Sequence, residues 1–115
     1  MSDRELLEFA AKAAGIHVPT KKDYPWAYID ESGIFRDISC AGDGTRMSRW
    51  NPLTDDGDAL RLAVKCKIDV VQFSLLARAD VAGLPDVREP YNGDPLAATR
   101  RAIVRAAAEI GRQML

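Results

Sequence analysis

Asp55, Asp56 and Asp58 fall within four consecutive positions, and a hard divalent cation draws its oxygen ligands from short segments of this kind. A calcium loop, however, also needs acidic residues at alternating positions and a bidentate glutamate at its far end, and neither follows. Helix capping accounts for the cluster, because carboxylates at a helix start are stabilised without a ligand. Gly42-Asp43-Gly44-Thr45-Arg46 has the glycines of a phosphate cradle. It lacks the Lys-Ser/Thr of a P-loop and the third glycine of a dinucleotide fingerprint, so it reads as a hairpin turn. Nucleophilic catalysis needs a base beside Ser, Thr or Cys, and the one histidine, His17, stands in Gly15-Ile16-His17-Val18-Pro19, distant in sequence from Cys40 and Cys66. A fold can join distant residues, but an ordinary surface or partly buried ring is the simpler role. Zinc would need three or four His/Cys ligands at short spacing, which the chain lacks. No catalytic, metal or cofactor residue is assigned.

Binding chemistry is better represented. Arg101, Arg105 and Arg112 fall on one side of a predicted C-terminal helix, with Arg100 on its flank. Such a face suits nucleic-acid phosphates. Glu109 interrupts the row four residues after Arg105, as expected of a solvated face with an i,i+4 ion pair. Trp50 and Trp26 would anchor a partner if exposed and otherwise belong to the core. Ala102, Ala106, Ala107 and Gly111 flatten the same helix, either for packing inside the fold or for self-association.

The elements that must carry these residues are legible from local signals. Ser2-Asp3-Arg4-Glu5 has capping-box spacing; the apolar face Leu6, Leu7, Phe9, Ala10, Ala13 and Ala14 follows, and Gly15 ends the helix. Runs 26–30 and 34–39 predict a β-hairpin across Glu31-Ser32-Gly33, and 45–50 a returning third strand. Thr54 or Asp55 caps a second helix with Leu60, Ala63, Val64 and Lys67 along one side. The segment 68–74 predicts a strand buried on both faces, 75–81 its continuation or return, and 82–93 a loop with at best a short strand at Val87. Asp94 as cap and Pro95 in the first turn open the last helix, with Leu96, Ile103, Ala107, Ile110 and Met114 as its buried stripe. The order fits an antiparallel or mixed sheet of about four strands packed by three helices, an α+β domain.

A chain of 115 residues accommodates one domain, 1–115. With 47% apolar and 29% charged residues it is neither a disordered polyelectrolyte nor a membrane chain. A formal net charge of -1 supplies no global field for nucleic acid or acidic membranes. The polar start after Met1 contains no signal-like or membrane-spanning stretch, and two cysteines without CxxC spacing read as free thiols. Both features predict a cytoplasmic protein.

The run Arg49-Trp50-Asn51-Pro52-Leu53-Thr54-Asp55-Asp56-Gly57-Asp58-Ala59-Leu60-Arg61-Leu62-Ala63-Val64-Lys65, together with the run from Asp94-Pro95-Leu96 through Arg105 to Ile110-Gly111, resembles the phage ABA sandwich domain family. A weaker likeness, carried by an Asn-Pro before one helix and an Asp-Pro-Leu before the last, extends to NinX-like phage proteins. The likeness covers the helical opening and these two segments, and the central strands diverge. It implies a layered α/β/α sandwich and expression from a phage or prophage, and it brings no activity or catalytic residues. The expectation is therefore a non-catalytic module that binds a host or phage protein, with Trp50, Arg101, Arg105 and Arg112 as its surface. Nucleic-acid binding through the arginines is the second expectation, and a homodimer is compatible with both.

Overall fold

A computed structural model describes residues 1–18, 28–30, 32–37 and 47–114. Helix α1 (Asp3–Ala14) starts at the capping box: Ser2 Oγ accepts the Glu5 amide and lies 3.2 Å from the Glu5 carboxylate. It ends at Gly15, whose φ of 75° lets the cap amide reach the carbonyls of Ala11 and Lys12. Leu6, Leu7, Ala10 and Ala11 form its buried face.

Strands β1 (Tyr28–Asp30), β2 (Gly33–Asp37) and β3 (Met47–Trp50) then form an antiparallel sheet in the order β1-β2-β3. Asp30 closes the first turn by accepting from the amide and hydroxyl of Ser32. The expected hairpin and third strand are therefore present; Trp26, and the 42–46 loop with Cys40, lie outside the described residues.

Asp55 is the cap of α2 (Asp56–Cys66), accepting the Asp58 amide at 2.8 Å. The side of this helix that carries Leu60, Ala63, Val64 and Lys67 is turned mostly outward. Ala59, Leu62 and Ala63 are buried, whereas Leu60 and Val64 are 65% and 71% exposed. Apolar residues occupy two sides of α2, and the narrower side, rich in alanine, packs inward.

A second antiparallel sheet follows, of β4 (Asp69–Gln72), β5 (Leu76–Asp80) and β6 (Val87–Pro90), in the order β4-β5-β6. The described strands thus form two three-stranded sheets, where one sheet of about four strands was expected. The reason is local: every pairing joins strands adjacent in sequence, and α2 separates the two meanders. The segment 68–74 was expected to be buried on both faces and is not. Only four of its residues form β4, at a sheet edge, and all four are exposed or half-exposed.

Helix α3 (Pro95–Gln113) is the hub, packing on α1, α2 and the sheet residues of β5 and β6. Its buried face is mostly small: Ala98, Ala102, Ala106, Ala107, Ala108 and Gly111 surround Ile103 and Val104. Leu96 and Met114, expected inside, are exposed. The small residues let α1 approach so closely that a Cβ on Gly111 would overlap the backbone of Phe9, which assigns the flattened surface to packing within the fold. Asp94 accepts the Ala97 amide at 3.0 Å. Asp94→Ala is expected to cost about 1 kcal/mol, as lost caps do, measured by urea unfolding.

Candidate functional site

The arginine stripe is held by carboxylates. Arg101 donates to Asp3 at 3.1 Å and lies 3.9 Å from Glu89. Arg105 donates to the same Glu89 and to the carbonyl of Arg88. Arg112 pairs with Glu109 at 2.8 Å, and Arg100 binds Asp56 at 2.6 Å and the Leu53 carbonyl at 2.8 Å. Glu109 was expected to meet Arg105; it turns to Arg112, and the less exposed Glu89 takes Arg105 in its place. A cleft of about 320 Å³ beside Arg101 and Arg105 is lined by Glu89 and Glu109 as well. A phosphate entering there would have to displace anions already in hydrogen-bonded contact.

Trp50, the fourth residue of the expected surface, is 5% exposed and belongs to the core beside Ile34 and Leu62. Its ring is buried in that core and is not available as an exposed anchor. The acidic cluster is divided among structural duties: Asp55 caps α2, Asp56 holds Arg100, and Asp58 accepts the Asn51 amide and Arg61. Burial pushes the Cys66 thiol up, with nearby Lys65 opposing the shift only in part. That is the wrong direction for a nucleophilic thiolate. His17 lines a depression with Glu8, Phe9 and Lys12, in which Cys66 takes no part.

A mostly apolar concavity among the described residues is one the sequence reading did not assign. It holds about 330 Å³ between α2, β4 and the start of α3, with Leu60, Val70, Leu96 and Ile103 along its walls and the Asp56–Arg100 ion pair at its rim. Val64 continues the exposed side of α2 one turn beyond Leu60. At the far end of β4, the β4–β5 turn presents Phe73 and Leu75, the latter 78% exposed. Local chemistry makes this end rigid. The Tyr91 hydroxyl lies 2.6 Å from the Phe73 carbonyl, Gln72 donates to Thr99 at 2.9 Å, and Thr99 donates to the Pro95 carbonyl at 2.7 Å. The Arg78 guanidinium stacks over the Phe73 ring at 5.2 Å, holding it without burying it.

Leu60, Val70 and Leu96 thus gather around one groove between α2, β4 and the head of α3, while Phe73 and Leu75 form a separate exposed apolar pair at the β4–β5 turn. Scattered exposed leucines need no explanation, but apolar side chains gathered together with a polar rim are how protein interfaces look before the partner arrives. The sequence signal for the groove was the pair Leu60 and Val64, placed along one side of α2 with Ala63 and Lys67 but given no binding role.

No protein-family model, curated protein or solved structure matches this chain. Its class is set by the coordinates alone: an α+β domain of three helices and two antiparallel three-stranded sheets among the described residues. No helix among those residues is long and apolar enough to cross a membrane.

Proposed function

We propose that the chain is a non-catalytic binding module whose ligand is another protein, engaged through the exposed apolar β4–β5 turn at Phe73 and Leu75. The observation that carries this reading is Leu75, 78% exposed on a turn that hydrogen bonds hold in place. A pre-ordered apolar anchor loses little conformational freedom on binding. The resemblance of the Trp50-Asn51-Pro52 and Asp94-Pro95-Leu96 segments to phage ABA sandwich proteins adds the context: an accessory protein of a phage or prophage, acting in the bacterial cytoplasm, with a layered α/β/α arrangement. Nucleic acid is the weaker alternative, because Arg101, Arg105 and Arg112 each already have a carboxylate partner.

The test is affinity capture from bacterial lysate, with and without nuclease, using the natural chain and Leu75→Asp. A defined protein retained by the natural chain in both samples, and lost with Leu75→Asp at unchanged thermal stability, is the expected result. Material that disappears after nuclease treatment, or a retained protein indifferent to Leu75→Asp, would overturn the reading.

A further inference from the structure

The two edges of the β4-β5-β6 sheet are finished differently. Along β6, the Tyr91 amide donates to the Leu75 carbonyl at 3.0 Å, so the positions bonded to β5 alternate through Glu89 and Val87, and Arg88 and Pro90 turn their backbone groups outward. Proline has no amide hydrogen to offer, and the Arg88 carbonyl accepts from Arg105. That edge gives little purchase to a further strand. Along β4, the Phe73 amide donates to the Leu76 carbonyl at 2.9 Å, which sets Val71 and Asp69 to bond β5 and directs the amides and carbonyls of Val70 and Gln72 away from it. Those outward groups have no partner among the described residues.

The same strand carries an unanswered charge. Asp69 stands directly across the ladder from Asp80, a like-charge pair that a sheet disfavours. Arg78 serves Asp80 at 3.0 Å, and Asp69 has no ion pair among the described residues. The Arg78 guanidinium also lies over the Phe73 ring, on the face of the sheet that Asp69 and Val71 share.

We infer that a second copy of this chain pairs with the open edge of β4, antiparallel about a two-fold axis through Val71. In this register Val70 exchanges both backbone hydrogen bonds with Gln72 of the other copy, and the two three-stranded sheets become continuous. Sliding the pairing would set an outward group against Ile68, whose amide is already bound to the Ala63 carbonyl, or against Ser74 in the turn. Asp69 falls across from Phe73 of the other copy in a non-hydrogen-bonded pair, where side chains approach most closely, and the arginine over that ring supplies the missing cation. The backbone edge alone would accept any extended segment; the match of Asp69 to the Phe73–Arg78 pair selects this chain's own β4. Such an interface is isologous, the form most homodimers take. A strand of 4 residues spans about 13 Å, a small contact beside the roughly 800 Å² per partner of a stable complex. Association therefore depends on concentration.

The inference does not rest on protein capture by the Leu75 turn. Sedimentation equilibrium of the full chain from about 5 μM to about 500 μM brackets micromolar association, and the mass is expected to rise from 12.6 kDa toward twice that value. Over the same span, amide hydrogen exchange should slow several-fold at Val70 and Gln72 and stay unchanged at Arg88. Val70→Pro removes an outward amide that the fold itself does not use, and this variant should stay monomeric at unchanged circular dichroism. Asp69→Lys and Arg78→Glu should each be monomeric alone and regain the dimer mass when mixed, because only the mixture sets opposite charges across both contacts. A single-copy mass for the natural chain at every concentration, exchange at Val70 and Gln72 indifferent to concentration, a dimer indifferent to Val70→Pro, or mixed variants that stay apart would each overturn the inference. So would protection of that edge appearing only when a captured protein is added, which would give it to a foreign strand. Leu75→Asp should dimerise like the natural chain while losing protein capture, so this proposal and the function proposed above fail separately.

Discussion

Gly111→Ala should lower the stability of the fold by about 3 kcal/mol or more, against the usual trend for this substitution inside a helix. In an unencumbered helix, alanine is better than glycine by about 1 kcal/mol, because glycine has more backbone freedom to lose. Gly111 is buried in α3, and a Cβ there would overlap the carbonyl oxygen of Phe9 and lie 2.7 Å from its carbonyl carbon. Both atoms are α1 backbone, so no side-chain rotation relieves the overlap. The helices must separate, and the small-residue surface of α3 then loses contact with Leu7, Ala10 and Ala11. Overpacking of this kind costs about 1 to 3 kcal/mol where side chains can yield, and more where only backbone can. In a domain of this size that corresponds to a fall in melting temperature of about 10 °C or more. Gly83→Ala is the control. Gly83, unlike Gly111, has a positive φ, 83°, and nothing lies within 4 Å of its missing Cβ, so the cost is limited to strain of about 1 to 2 kcal/mol. Urea unfolding of both variants checks the order. A Gly111→Ala variant as stable as the natural chain would mean that α1 and α3 do not meet at Phe9.

The same contact shows why some of the fold could be read from sequence and some could not. Ser2, Asp55 and Asp94 announce their helices because each cap bonds an amide three residues away, and that chemistry is local. The hairpin turn at Ser32 is legible for the same reason. The inward side of α2 was not. Leu60 and Val64 stand one turn apart, and helical periodicity puts them on one side with Ala63 and Lys67 without saying whether that side faces the core. The space beside α3 admits only Ala59, Leu62 and Ala63. Which side turns inward depends on the partner surface, and that surface is an alanine-rich face of another helix distant in sequence.

The arginine stripe is a similar case. Its placement on one side of α3 follows from helical geometry, and the Glu109–Arg112 pair is a local i,i+3 contact. Neutralisation of Arg101 by Asp3, and of Arg105 by Glu89, joins residues 98 and 16 positions apart. A row of cations that looks open in sequence is thereby closed by the fold. The exposed apolar residues show the converse: Val70 and Leu96, which read as core, are left outside, Val70 because β4 is a sheet edge.

Asn51→Ala is expected to cost about 2 to 4 kcal/mol, the summed desolvation of two polar groups left without partners. Asn51 is 2% exposed at the corner where β3 passes into α2. Its side-chain amide donates to the Ser32 carbonyl at 2.8 Å, and its side-chain oxygen accepts the Leu53 amide at 2.9 Å. One residue thereby ties the β1–β2 turn to the start of α2. Its backbone completes the corner: the amide donates to Asp58 at 3.0 Å, and the carbonyl accepts from Asp55 at 2.9 Å. Alanine keeps those backbone bonds and removes only the side-chain pair, so the variant isolates the tie. Asn51→Asp is nearly isosteric and discriminates further. One carboxylate oxygen can still accept from Leu53, but the other would face the Ser32 carbonyl oxygen, acceptor against acceptor, in a site shielded from water. The new carboxyl should therefore have a folded pKa above the unfolded value of about 3.9. Its protonated form can donate to Ser32, so the stability of Asn51→Asp relative to the natural chain should be greatest below that value and be lost as pH rises through the folded pKa. Urea unfolding of the natural chain, Asn51→Ala and Asn51→Asp at about pH 4 and about pH 7 reads the difference, with both values bracketing the expected titration. An Asn51→Asp variant as stable as the natural chain at the higher pH would mean that the Ser32 carbonyl does not receive the Asn51 amide, and that the corner is held by its backbone bonds alone.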